Sequence, residues 1–338
     1  MNKLIENGTI RRFECVVPIG EVLPQQDFQI GMRVVAPPPG APAPHAVVYC
    51  LPGGQMDRTY FDLGSAGDRR FSLAEALAEH GMVAILADHP GIGDSTCPDD
   101  PFDIAPDLIA EAHARSARAA LDRLASGTLV AGLEPLPGLT ALGCGHSMGA
   151  VAMIAVQARA PLFAGIALLG HGNGGLPDSF PADLTDAARD LDWLEANLPS
   201  IAQHRFGGAV FDHRKAPRKE PRENGPSFHT GSADPDGRAA LRGAVAPLLT
   251  VPGLHSMFPG VSDRASKTIE VPVLVVTGAD DFADTGEELR DHFPKAADYQ
   301  RFAPPDTGHN LFIFPSRVES FARIAGWAAS LAQGNKGI

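Results

Sequence analysis

The chain has 338 residues, 44% hydrophobic and 20% charged, a balance typical of globular proteins and unlike disordered or membrane-embedded chains. A formal net charge of −12 counts against a nucleic-acid partner, which is held through clustered Lys and Arg. The one basic run, from His213 to Arg222, is broken by Pro217, Glu220 and Pro221 and reads as a solvated loop.

Taken in chain order, "MNKLIENGTIRRFE" lacks the apolar middle of a signal peptide, and no apolar run reaches membrane-spanning length. "GTIRRFECVV" and "FQIGMRVVA" read as β segments, and "PPPGAPAP" as a stiff connector. "HAVVYCL", ended by Pro52-Gly53-Gly54, has the short apolar character of a buried strand. "FSLAEALAEHG" has helical spacing with a glycine stop, and "MVAILAD" is the next buried strand. A helix is predicted over 107–126, stopping before Gly127. "TALGCGH" then leads through Ser147 into the helical "GAVAMIAVQARA", and "FAGIALLG" is a strand.

From about His171 to Ile269 this rhythm gives way to charged, proline-rich and helical pieces without a clear strand. It resumes with "VPVLVVTG" and "ADYQRFA" and closes on the helical "SRVESFARIAGWAASLAQ". Buried strands alternating with helices imply a mostly parallel sheet covered on both faces, with the middle block inserted above it. The length suits one such domain, residues 1–170 and 270–338, around an insertion at 171–269. Cys15, Cys50, Cys97 and Cys144 lie far apart without C-x-x-C spacing, so a reducing, cytoplasmic compartment is expected.

Gly145-His146-Ser147-Met148-Gly149 fits G-x-S-x-G at a strand-to-helix junction, where a nucleophile would protrude from a sharp turn. In a chain with 36 glycines the pattern alone also fits a structural turn. Two further strand ends supply what a serine would need. "TGADDF" offers Asp280 and Asp281, of which Asp281 could instead cap a helix and Asp280 reads as a solvated neighbour, and "PPDTGHNLF" offers His309. Ligands bind at the carboxyl ends of strands in such sheets, and serine, acid and histidine follow one another in the order this architecture uses. His146 is expected to pack or hydrogen-bond locally. His89 and His171, at strand ends, could line a pocket or stand by. His204, His213, His229 and His255 lack metal-ligand spacing. Gly91-Ile92-Gly93 reads as a turn, since the full phosphate-binding glycine pattern is missing. No cofactor and no metal is implied.

With "GHSMGA", "DHPGIGDS", "GADD" and "GHN" in this order, the chain resembles the α/β-hydrolase superfamily, in its serine esterase and lipase-like branch. The resemblance covers about residues 28–170 and 270–330. It implies a mostly parallel eight-stranded sheet with helices on both faces and a cap at 171–269. It selects Asp281 as the acid beside Ser147 and His309. It also implies an oxyanion hole from the amides of Met148 and Gly54, with Gln55 the other candidate because Pro52-Gly53-Gly54-Gln55 departs from the usual His-Gly-x. Gln55, His171, Trp193, Met257 and Phe258 are expected to contact substrate, with Leu191 and Leu194 also offered by the apolar cap pieces. The function so implied is hydrolysis of small to medium apolar carboxylic esters through an acyl-enzyme. The same residues would also suit thioester, lactone, amide or carbon–carbon cleavage, or acyl transfer. A ligand-binding protein with a retained triad is the reading of a different class. The expected partner is a small-molecule ester, and oligomeric state is left open.

Overall fold

The computed structural model describes residues 3–7, 10–65, 68–212, 214–215, 232–283 and 287–334. The basic run at residues 213 and 216–222, and His229, lie outside them apart from Arg214 and Lys215, which are exposed.

Among the described residues nine strands form the main sheet: β1 (Lys3–Asn7), β2 (Ile10–Leu23), β3 (Gln26–Ala36), β4 (Ala46–Leu51), β5 (Met82–Ala87), β6 (Thr140–His146), β7 (Ile166–Leu169), β8 (Val273–Val276) and β9 (Tyr299–Phe302). Their order is β1-β2-β3-β5-β4-β6-β7-β8-β9, so the eight expected strands carry one further edge strand, β1. Pairing is antiparallel from β1 to β5 and parallel from β5 to β9.

Four of the parallel strands, β4, β5, β7 and β8, are buried apolar runs because both of their faces are covered. Along β4, Val47, Tyr49 and Leu51 enter one core, while Ala46, Val48 and Cys50 enter the other. Helices α2 (Pro106–Ser126) and α3 (Met148–Arg159) supply Ala112, Ala117, Ala150 and Ile154 to the first core. Helices α1 (Leu73–Glu79) and α9 (Arg317–Gly334) supply Leu73, Leu77, Phe321 and Trp327 to the second. Local chemistry sets the helix ends. The Ser72 hydroxyl accepts from the Glu75 amide at the start of α1, and Gly127 takes a left-handed φ of 73° at the end of α2, as its sequence predicts.

Between β7 and β8 lie helices α4 (Ala182–Ala187), α5 (Leu191–Phe206), α6 (Pro235–Gly243), α7 (Thr250–His255) and α8 (Asp263–Ser266). A two-stranded ribbon joins Val210–Phe211 to Leu248–Leu249, a strand pair too short for hydrophobic periodicity to reveal. Leu194, Leu198, Val251, Leu254 and Phe258 form a small apolar core within this block. Among the described residues no helix is long and apolar enough to cross a membrane.

Candidate active site

At the carboxyl ends of the parallel strands lies a cavity of about 670 Å³ whose walls include Ser147, His309, Gly54, Gln55, His171 and Met257. Ser147 occupies the turn between β6 and α3 with φ 54° and ψ −119°, a left-handed conformation that a residue bearing a side chain adopts only under constraint. The constraint comes from close packing on both sides. A Cβ on Gly145 would stand 2.2 Å from the Gly149 carbonyl oxygen, and one on Gly149 would stand 2.2 Å from that of Leu51. Both glycines of the motif are therefore required for strand and helix to approach, and the Ser147 amide donates to the Leu169 carbonyl at 2.8 Å.

His309 follows β9, and its Nδ1 donates to the carboxylate of Asp281 at 2.9 Å to Oδ1 and 3.1 Å to Oδ2. The Asp281 side chain is fully buried behind the imidazole, and its Oδ1 also accepts from the Ala283 amide at 3.0 Å. Asp280 is exposed, with its amide donating to the Thr307 carbonyl. The acid turn needs its glycine, because a Cβ on Gly278 would meet the Thr307 carbonyl oxygen at 2.1 Å. Phe282 lies with its ring 4.2 Å from that of His309 and also lines the cavity. In the neutral tautomer with Nδ1 as the donor, Nε2 is the acceptor nitrogen of the ring.

His146 does more than pack. It stacks on Tyr60 at 4.4 Å, and its Nε2 donates to the His309 carbonyl at 3.0 Å, fixing the backbone that carries the imidazole. Burial and the nearby His309 hold His146 well below the ordinary histidine pKa, so it stays neutral.

The loop after β4 faces the start of α3. A Cβ on Gly54 would lie 3.8 Å from the Met148 sulfur, and Gln55 takes a left-handed φ of 67°. Behind this loop runs a buried chain of hydrogen bonds. His89 Nε2 donates to the Pro52 carbonyl (2.8 Å), and His113 Nε2 donates to His89 Nδ1 (2.9 Å). The Tyr49 hydroxyl then donates to His113 Nδ1 (3.1 Å) and accepts from Ser116 Oγ (2.8 Å). A carbonyl can only accept, so the direction of every link is set from the Pro52 end. His89 is thus a backbone anchor rather than a pocket residue. The turn "DHPGIGDS" that presents it is tied to β3 by Ser95 Oγ, which accepts from the Gly31 amide at 3.0 Å.

Two of the expected substrate contacts are not brought to the cavity. Trp193 is 38% exposed on α5 and is absent from the cavity wall. Phe258 is buried, stacked on Phe180 at 4.3 Å. Leu194 is buried and Leu191 partly buried in the same small core. Trp193 sits on the outward face of its helix, and the other three fill the block's own interior, distinctions that apolarity alone does not make. Among the described residues no three His, Cys, Asp or Glu side chains are grouped to hold a metal ion.

The buried histidines predict an acid sensitivity. Burial lowers His89, His171 and His255 to about 4 and holds His113 and His146 well below their ordinary value. In the unfolded chain each would take a proton near pH 6.5, so their stability contribution is complete above that pH and is lost as pH falls toward 4. Each removes up to about 1.4 kcal/mol per pH unit in that window. Asp88, pushed up to about 6 by burial despite Arg58, works in the opposite direction and offsets part of one. The urea midpoint should therefore drop by a large fraction between pH 7 and pH 5. A midpoint constant over that range would contradict the neutral, buried state of these rings.

A sequence model of the alpha/beta hydrolase family matches residues 48–324. None of the curated proteins matches the chain. Among solved structures, it is similar to a thermostable carboxyl esterase from Bacillus coagulans, with TM-score 0.62, 15% identity, and 96% of this chain and 99% of that one covered. An esterase from Thermogutta terrifontis has TM-score 0.54 and 17% identity, covering 94% and 99%. A monoacylglycerol lipase from Paleococcus ferrophilus has TM-score 0.54 and 16% identity, covering 86% and 96%. At these identities the likeness concerns the fold.

Proposed function

This chain belongs to the alpha/beta hydrolase family, and on that premise we propose that it is a serine hydrolase cleaving carboxylic esters of small to medium apolar substrates. The observation carrying this reading is His309, held by the buried Asp281 and sharing one cavity with Ser147 on its left-handed turn. Ser147 Oγ attacks the ester carbonyl while His309 Nε2 takes its proton and passes it to the departing alcohol. Asp281 orients the imidazole and supports its cation. The Met148 and Gly54 amides receive the negative oxygen at the positive end of α3. Water, deprotonated by His309, then releases the acid from the acyl-enzyme, so the net change is ester plus water to acid plus alcohol.

Residues 171–269 are read as a cap on a core of residues 1–170 and 270–338. Rooted at the strand ends beside Ser147, the cap helps to shut out water and to shape the wall with Met257. The four cysteines are unbridged, including Cys50 and Cys144, which sit opposite each other on neighbouring strands, in keeping with a reducing cytoplasmic setting.

Esters of p-nitrophenol with graded acyl chains should be turned over faster than matched amides, lactones and thioesters. A higher kcat/KM for any of those three would overturn the bond assignment. A lost methylene contact is worth about 1 kcal/mol, so Met257→Ala should shift the preferred chain length by several-fold in kcat/KM. An unchanged ranking in the folded variant would remove Met257 from the substrate wall.

A further inference from the structure

The cavity wall carries an asymmetry of charge that ester hydrolysis does not use. Three arginines line it, Arg205, Arg238 and Arg242, and no Asp or Glu does so among the described residues. This occurs in a chain whose acidic residues outnumber its basic ones, 40 to 28.

The three guanidiniums are placed by two helices of the inserted block. Arg238 and Arg242 stand four residues apart on α6, so they share one face. Gly237, Ala240 and Leu241 on the same helix are buried and fix its orientation. A Cβ on Gly237 would meet Ile313 Cβ at 2.9 Å, which leaves α6 little room to turn about its axis. The helix's own acids are engaged elsewhere: Asp236 pairs with Arg70 at 2.7 Å and Asp234 with the same arginine at 3.6 Å. Among the described residues neither Arg238 nor Arg242 forms an ion pair. Arg205, on α5, lines the same cavity and is steadied by donating to the Ser179 carbonyl at 3.1 Å and by lying 4.7 Å over the Phe180 ring. All three side chains are exposed, which places their charge at the rim, where a substrate's far end would lie while its ester is at Ser147.

We propose that Arg238 and Arg242, with Arg205 on the wall of the same cavity, form a binding site for an oxyanionic group at the end of the substrate remote from the scissile bond. The substrate class is then an ester whose acyl or alcohol part ends in an acid group, a carboxylate being the simplest. A planar guanidinium matches the two oxygens of a carboxylate, which explains why the rim carries arginine rather than apolar residues. The apolar wall between, with Leu241, Val245 and Leu248, receives the methylene chain that joins the two ends. This inference rests on the hydrolase reading for its substrate but not for the existence of the site.

The test compares p-nitrophenyl hemiesters of linear dicarboxylic acids with neutral p-nitrophenyl esters of equal chain length. Exposed charge contacts are individually weak, so the expected preference for the anionic series is roughly tenfold in kcat/KM at low salt, shrinking at high salt. In the Arg238→Gln/Arg242→Gln double variant the ratio should fall toward one, and Arg238→Lys/Arg242→Lys should restore part of it. Thermal unfolding confirms that each variant is folded. A wild-type preference for the neutral series at every chain length, or a preference unaltered by the double Gln variant, overturns the proposal. A separate arm measures binding of monoethyl glutarate to Ser147→Ala by calorimetry, with and without the two Gln substitutions. If neither ester series is turned over, the hydrolase reading fails, and the calorimetric arm alone decides the anion site: binding lost on removing the arginines supports it, and binding absent or unaffected sinks it.

Discussion

Replacing Ser147 with alanine should reduce ester turnover by roughly five to six orders of magnitude, to the residual rate supplied by binding and the oxyanion amides alone. The size of the effect follows from the way the three side chains depend on one another. His309 has no proton to take without the hydroxyl, and Asp281 has no cation to support. His309→Ala should accordingly cost about as much as Ser147→Ala, and the double variant should be scarcely worse than either. Stability should be little altered by Ser147→Ala, because the change removes one oxygen from a half-buried side chain and leaves Gly145 and Gly149 in place. A fluorophosphonate should label the wild-type protein at Ser147 and leave Ser147→Ala unlabelled. Wild-type turnover in a folded Ser147→Ala would end the proposed mechanism. Labelling without turnover of any ester would favour a binding protein with a retained triad.

The second large effect is expected at the acid. Asp281→Asn preserves shape but replaces an oxygen that accepts from His309 Nδ1 with an amide that can donate to it. The imidazole would then settle in the wrong tautomer, with Nε2 protonated and unable to act as base, for a loss of roughly 10⁴-fold in kcat. Asp280→Asn should change kcat by no more than a few-fold, because that side chain is exposed and has no part in the His309 contact. The pair of substitutions is informative because the two residues are adjacent and chemically identical. If Asp280→Asn proved the more damaging, the carboxylate that supports His309 in solution would not be Asp281, and the acid turn would have to be read one residue earlier.

Much of the fold is legible in the sequence itself, and the reason is periodicity. Strands buried on both faces read as unbroken apolar runs, so "HAVVYCL", "MVAILAD" and "VPVLVV" announced β4, β5 and β8. Glycines that permit a turn or a close approach left equally local marks. Gly127, Gly145, Gly149 and Gly278 are each demanded by a backbone conformation or a contact a side chain would forbid. Three chemically suited residues at three strand ends therefore pointed to a single edge of the sheet, since parallel strands bring their carboxyl ends together. The short ribbon at Val210–Phe211 and Leu248–Leu249 left no such mark, being two residues per strand.

What periodicity could not decide is which way a side chain faces once helices pack on each other. Trp193 and Phe258 have the same apolar character as Met257, yet one is exposed, one fills a small core and only Met257 reaches the cavity. The chain of hydrogen bonds from Ser116 through Tyr49, His113 and His89 to Pro52 joins residues up to 67 positions apart, and nothing local in any of them signals the others. The same holds for Arg205 and Arg242, separated in sequence and united only by the folding of α5 and α6 over one opening. Local sequence determines elements and turns through sterics and burial period. Partners across the fold are chosen by packing, which acts only when the elements have met.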